Sequence, residues 1–239
     1  MHSFTIATLA ALAGLSSAAL RKRSGLGDVY NYYSGDGTTA DGWPSQSEWI
    51  DFDDMWNNNY NNMANSCGWN GWGADDSSTE LSDMQSAIQS VASASGVDPR
   101  FILAVILQES EGCVRVPMTD NGVVNPGLMQ SHDGSGTCNN DGDVQDPCPM
   151  SEITQMIEDG TEGTSSGDGL EQCLAQSGAS DVSMYYKAAR IYNSGSIASD
   201  GNLDNGNGAT PCYACDIANR LTGWVDATSC CGSDGQDTC

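Results

Sequence analysis

Ile102, Val105, Ile106 and Glu109 fall at i, i+3, i+4 and i+7 of an almost wholly apolar run, so a helix here places Glu109 on the stripe that faces the core. Asp98-Pro99 supplies an N-cap and a first-turn proline for that helix. A carboxyl group at the C-terminal end of such a helix is disfavoured as an anion by desolvation and by the negative end of the helix dipole. Both effects raise its pKa, and a carboxylic acid kept protonated beside a cleft can protonate a glycosidic oxygen. The alternative is a carboxylate that turns outward in the last helical turn or pairs with Arg115 or Arg190.

Other residue types narrow the chemistry. Inverting hydrolysis needs a second carboxylate roughly 6.5–9.5 Å from the first to activate water. Asp120 and Asp133 lie in the loops that follow and are the candidates, whereas Glu111, two residues on, would face away from Glu109. His132 is the one histidine left if a leader carrying His2 is removed, too few for zinc without free cysteines, and reads as a surface or substrate-contacting residue. No G-x-S-x-G elbow occurs. Asp51-Phe52-Asp53-Asp54 lacks EF-hand spacing and reads as a solvated acidic turn. Cys212-Tyr213-Ala214-Cys215 has redox or metal spacing, but among ten cysteines it reads as structural. No metal or cofactor is expected.

Several elements must hold these groups. Leu81, Met84, Ile88 and Val91 recur at helical spacing from Ser78, and Gly96 ends the run as a C-terminal cap. Further helices are expected over 152–158, 169–177, 182–192 and 213–224, the last with Ala214, Ile217, Leu221 and Trp224 on one face. Residues 24–78 carry turn residues, asparagine runs and aromatics (Tyr30, Tyr32, Tyr33, Trp43, Trp49, Trp56) with little periodicity. Those aromatics could stack on sugar rings; they read as packing residues in a chain with three Phe. Long Gly/Asp/Asn loops join the helices and need disulfides or a function to hold them.

Gly96-Val97-Asp98-Pro99, the helix ending Gln108-Glu109-Ser110, then Gly127-Leu128-Met129-Gln130 and Ala189-Arg190-Ile191-Tyr192-Asn193-Ser194-Gly195 follow in order. This series resembles the soluble lytic transglycosylase and goose-type lysozyme superfamily, over about residues 80 to 225. Dibasic processing and cysteine density suggest a secreted, fungal branch. The resemblance implies a mainly α, lysozyme-like (transglycosylase SLT-type) domain over 79–225 with long disulfide-braced loops. It also implies that Glu109 is the catalytic acid, that Gly127, Leu128, Met129 and Gln130 line the sugar cleft, with glycine letting backbone approach the ligand, and that Tyr192 and Asn193 border the acid. Goose-type members carry one aspartate near Asp120. Their other aspartate falls two residues after the glutamine, where this chain has His132, with Asp133 one later, so the base stays open between Asp120 and Asp133. Members that are lytic transglycosylases lack a base and close an anhydro ring with the sugar's own hydroxyl. The substrate implied is a β-1,4-linked N-acetylhexosamine polymer, peptidoglycan first, with chitin, chitosan or mannan as alternatives. A non-catalytic glycan-binding or effector-like module is the rival from another class.

Charge and cysteine content bound these readings. The 239 residues hold 8 Lys and Arg against 32 Asp and Glu, a formal charge of −24 that excludes a nucleic-acid binder resting on phosphate neutralisation. Lysozymes that attack anionic walls are often basic, so this balance fits action at acidic pH, a neutral or cationic glycan, or the acidity that secreted proteins often carry for solubility alone. Ile6 to Gly14 is apolar but too short to span a bilayer, and Ser16-Ser17-Ala18 follows it, so 1–18 reads as a signal peptide. Residues 19–23 read as a short propeptide ending at Arg21-Lys22-Arg23, whose removal would discard three of the eight bases. The expected product is secreted and monomeric, with a polysaccharide as partner and no contact with nucleic acid or membrane. Ten cysteines suggest five disulfides. Cys113 would anchor the chain leaving the Glu109 helix, and Cys230-Cys231 with Cys239 would pin the tail over 226–239.

Overall fold

Asp51 is extended and the chain turns helical behind it, so Asp53 and Asp54 fall in the first turn, where negative charge complements the helix dipole. The helix, α1, runs Phe52–Trp69. In this computed structural model residues 24–232 and 234–238 are described. The expected leader over 1–18, the segment 19–23 and Cys239 lie outside the described residues. α1 corrects the expectation of an irregular stretch up to residue 78 and of a solvated turn at Asp51–Asp54. Its buried face is Met55, Trp56, Asn59, Met63, Ser66 and Cys67. Asn59 and Ser66 dilute the apolar period that sequence reading relies on. Asn59 satisfies its buried amide by donating to the Met55 carbonyl at 2.8 Å.

The next two helices follow expectation. α2 (Ser78–Ser95) opens with a Ser77/Glu80 capping box and closes at Gly96 with φ 76°, a left-handed cap that glycine adopts without strain. α3 (Pro99–Glu109) starts at Asp98, whose carboxylate accepts from Arg100 N. Residues Phe101 to Leu107 are all buried, which makes α3 the axis of the core, with α1, α2 and α7 packed around it. Two short hairpins follow, β1 (Thr119–Asp120) with β2 (Val124–Asn125) and β3 (Asn139–Asn140) with β4 (Asp143–Val144). Then come α4 (Met150–Glu162) against α2, α5 (Leu170–Gln176) against α6 (Ser183–Ser194), and α7 (Tyr213–Thr222) against α6 and α3. The fold class is mainly helical.

The N-terminal segment is strapped across α6 and α7. Leu26 N donates to Thr222 O at 2.7 Å and Ile50 N to Leu221 O at 2.9 Å, closing over the end of α7. Asn219 fixes Asn31 from both sides, accepting from its N–H and donating to its carbonyl at 2.8 Å. Trp49 is fully buried and donates from its indole to Tyr186 Oη at 3.0 Å, while Trp43 tilts over the Tyr186 ring at 5.0 Å. Each such buried indole removes about 150–250 Å² from water, worth roughly 4–6 kcal/mol of transfer free energy. Tyr30, Tyr33, Trp43, Trp49 and Trp56 therefore serve packing, within a core that runs from Tyr30 to Cys230.

Polar and covalent ties brace the loops. Arg115 is fully buried among Asp76 (3.1 Å), Glu80 and the exposed Asp146 (3.0 Å), joining the start of α2 to the loop after α3 and to the β3–β4 hairpin. Disulfides Cys67–Cys113, Cys138–Cys148 and Cys212–Cys231 join the described residues, and Cys230 is also disulfide-bonded. Cys113 does anchor the exit of α3, to α1. The expectation of five bridges is corrected, because Cys173 and Cys215 are buried free thiols, each pushed up to about 12 by burial. In the C-x-x-C only Cys212 is bridged; Cys215 Sγ instead accepts from Tyr33 N at 3.3 Å.

Candidate active site

Glu109 ends α3 and is half-buried in a cleft of about 500 Å³ lined also by Thr119, Asn121, Asn125, Gln130, Tyr192, Asn193 and Gly208 to Thr210. Its Oε1 accepts a 2.6 Å hydrogen bond from the hydroxyl of Tyr213, at the start of α7. Burial pushes the Glu109 carboxyl from 4.5 up to about 7, while the Tyr213 donor, which favours the anion, pulls the other way. The alternative of a pairing with Arg115 or Arg190 does not occur. Arg115 is occupied by its carboxylates, and Arg190 donates to Asn193 Oδ1 and to the carbonyls of Leu203, Thr210 and Pro211.

Three devices hold this cleft. Ser110, directly after Glu109, donates its hydroxyl to Ile106 O at 2.9 Å and to Leu128 O at 2.8 Å, tying the end of α3 to the turn that carries Gln130. Tyr192 donates to Met129 O at 2.8 Å, joining α6 to the same turn. Arg190 gathers the loop after α6 by its carbonyls, which sets Gly208 to Thr210 at the rim. The Cys212–Cys231 bridge sits beside Tyr213 and the Cys67–Cys113 bridge just beyond Glu109, so both partners of the 2.6 Å contact are covalently anchored nearby.

The remaining expected site residues divide. Gln130, Tyr192 and Asn193 line the cleft, and Gln130 adopts φ 46° with its amide donating to Gly127 O at 3.1 Å and Pro117 O at 3.3 Å. Gly127, Leu128 and Met129 do not line it. Leu128 and Met129 are fully buried core residues. Gly127 has φ 75°, and a Cβ there would meet Met156 Cγ at 2.6 Å and Gly136 O at 2.7 Å. The glycine therefore admits α4 and a loop rather than a ligand.

The two candidate bases lie at exposed positions outside the lining. Asp120 is in β1, its carboxylate accepting from Gly122 N at 2.8 Å, while its neighbours Thr119 and Asn121 face the cleft. Asp133, at φ 50°, has its carboxylate 3.8 Å from His132 Nε2. Glu111 points to another surface, where Asn70 donates to it at 3.0 Å. Among the described lining residues Glu109 is the one carboxylate.

Beside this cleft lies a second depression of about 460 Å³ that shares Asn125, Gln130, Tyr192 and Asn193 with it and reaches His132, Asp168 and Gly195. A third, of about 420 Å³, shares Gly208 and Ala209 and reaches Asp200, Asp234 and Gln236. Through these shared residues both depressions adjoin the Glu109 cleft, which makes it the middle of three neighbouring sections of a furrow.

The roles of Tyr213, Ser110 and Asn125 were not read from the sequence. Tyr213 is 104 residues from Glu109, and no local pattern links them. In comparison with known proteins, no family model and no curated protein matches the chain. No helix among the described residues is long and apolar enough to cross a membrane.

Proposed function

We propose that the protein is a secreted glycosidase on a lysozyme-like, SLT-type helical domain, cleaving β-1,4-linked N-acetylhexosamine polymers with Glu109 as general acid. The observation that carries this reading is Glu109 itself: a carboxyl raised to about 7, fixed by Tyr213, in the middle of a furrow lined by amide and hydroxyl side chains. Below that pH the group holds a proton to donate to the glycosidic oxygen. The C1–O bond then breaks, the leaving sugar departs as a neutral alcohol, and Glu109 is left as a carboxylate. That carboxylate takes a proton from the hydroxyl that attacks C1, which restores the acid. With no second carboxylate among the described residues lining the Glu109 cleft itself, the attacking hydroxyl favoured is one positioned without a dedicated base, such as the sugar's own in an anhydro-forming reaction. Peptidoglycan is the first polymer to test, with chitin, chitosan and mannan beside it.

Mass spectrometry of products from peptidoglycan and chitin tests this. Fragments with anhydro ends support attack by the sugar hydroxyl, and free reducing ends mean hydrolysis by water. Glu109→Gln should lower the rate by about 10²–10⁴-fold, the usual contribution of a positioned acid. Full activity in that variant would overturn the assignment. Binding without release of fragments would make the furrow a recognition module.

A further inference from the structure

The proposed reading leaves open which hexosamine polymer enters the furrow, and the distribution of charge along it discriminates. Every described Lys and Arg is engaged elsewhere, and His132, which lines the second depression, has Asp133 at 3.8 Å beside it. Arg100 pairs with Asp98 at 2.6 Å and lies over the Trp49 ring at 4.8 Å. Arg115 is buried among its carboxylates and Arg190 among carbonyls. Arg220 donates to Gln108 at 2.9 Å and covers Trp224 at 4.6 Å. Lys187 stands near Asp36 and Asp181, where it helps hold both carboxyls below their ordinary range.

No Lys or Arg therefore lines any of the three sections, among the described residues. The carboxylates do. Asp168 lies exposed at one end and Asp200 and Asp234 lie exposed at the other, with Glu109 between. The neutral part of the lining is asparagine, glutamine, threonine, tyrosine and glycine, which suits sugar hydroxyls and amides and offers a carboxylate ligand neutral donors but no Lys or Arg to pair with. A wall glycan bearing acidic peptide stems would carry its charges past both acidic ends, in a field of one sign set by the whole chain. An ammonium on every few sugars meets attraction along the same path.

We infer that the furrow selects a cationic glycan, a partly N-deacetylated β-1,4-N-acetylglucosamine polymer, over neutral and anionic chains of the same linkage. This rests on the glycosidase reading for its catalytic step, while the charge selection is a property of the furrow and is measured separately.

The test uses the protein starting at Ser24 and three polymers: partly deacetylated chitosan, a neutral soluble chitin derivative and peptidoglycan. Binding and cleavage are both measured near pH 5.5, where exposed carboxylates are ionised. The expected order is cationic, then neutral, then anionic, with about a tenfold advantage of the cationic over the neutral polymer at low salt. That advantage should shrink to about twofold as ionic strength approaches 0.5 M and the Debye length falls to a few ångströms. Asp168→Lys should reduce the advantage and improve relative binding of peptidoglycan. Equal or better binding of peptidoglycan, or a preference that does not respond to salt, would overturn the inference without any variant being needed. If none of the polymers is cleaved, the glycosidase reading fails, and the binding order still decides the charge selection.

Discussion

The Tyr213 hydroxyl meets Glu109 Oε1 at 2.6 Å, joining the last turn of α3 to the first turn of α7. The contact leaves the other carboxylate oxygen to carry the proton, and it opposes the burial that raises the group to about 7. Replacing Tyr213 with Phe removes the donor that favours the anion, so the Glu109 pKa should rise further. Titration of Glu109 by carbon-13 NMR measures this without reference to activity. Where cleavage is followed, the basic limb of the pH profile should move upward and the rate should fall about tenfold, because the acid is less firmly aimed. An unchanged pKa would remove Tyr213 from any role in tuning the acid.

Stability should be greater in mild acid than near neutrality. Burial raises Glu109 from 4.5 to about 7 and Asp204 from 3.8 to about 6, and both Asp204 oxygens are buried without a hydrogen-bond partner among the described residues. The folded chain therefore keeps protons that the unfolded chain has lost across this window, and stability declines as pH rises through it. Glu80 has the opposite sign: the Ser77 and Cys148 N–H groups and Arg115 outweigh its burial and hold it low, so its contribution is lost only as pH falls through its depressed pKa. Calorimetry should give a midpoint several degrees higher near pH 5 than near pH 7.5, with the slope flattened in Glu109→Gln and Asp204→Asn. A midpoint that climbs steadily to neutrality would contradict this.

Arg115 pairs with Asp76 and Glu80 inside the protein, though burial outweighs that pairing at Asp76 and raises its carboxyl to about 7. Arg115→Met would leave both buried carboxyl groups without their cationic partner, which costs about 3–5 kcal/mol. Urea unfolding should show the loss as a lower midpoint at similar slope. A change under about 1 kcal/mol would mean that the cluster relaxes or fills with water.

Cys173 and Cys215 should resist iodoacetamide in the folded protein, since both are buried and held as thiols. After unfolding without reductant, peptide mapping should find label at these two positions and none at Cys67, Cys113, Cys138, Cys148, Cys212 or Cys231. Label on Cys212 would contradict its bridge to Cys231.

The helices around the acid were legible in the sequence because their signals are local. The Ser77/Glu80 box, Gly96, Asp98-Pro99 and the apolar stripe through Val105 and Ile106 act within one or two turns, so α2, α3 and the position of Glu109 follow from spacing. α1 escaped because Asn59 and Ser66 occupy its buried face, where only packing and a donation to Met55 O make them acceptable. The motif Gly127 to Gln130 was visible, but its division of labour was not. Whether a glycine faces a ligand or a methionine depends on which helix arrives over it, and here it is α4. The same holds for charge and thiols. Counting shows an acidic chain with ten cysteines. Only the tertiary structure decides that Arg115, Arg190 and Arg220 turn to internal partners, that Cys215 stays free beside Tyr33, and that Tyr213 reaches Glu109. Those outcomes depend on distances between residues far apart in the chain, which no local period encodes.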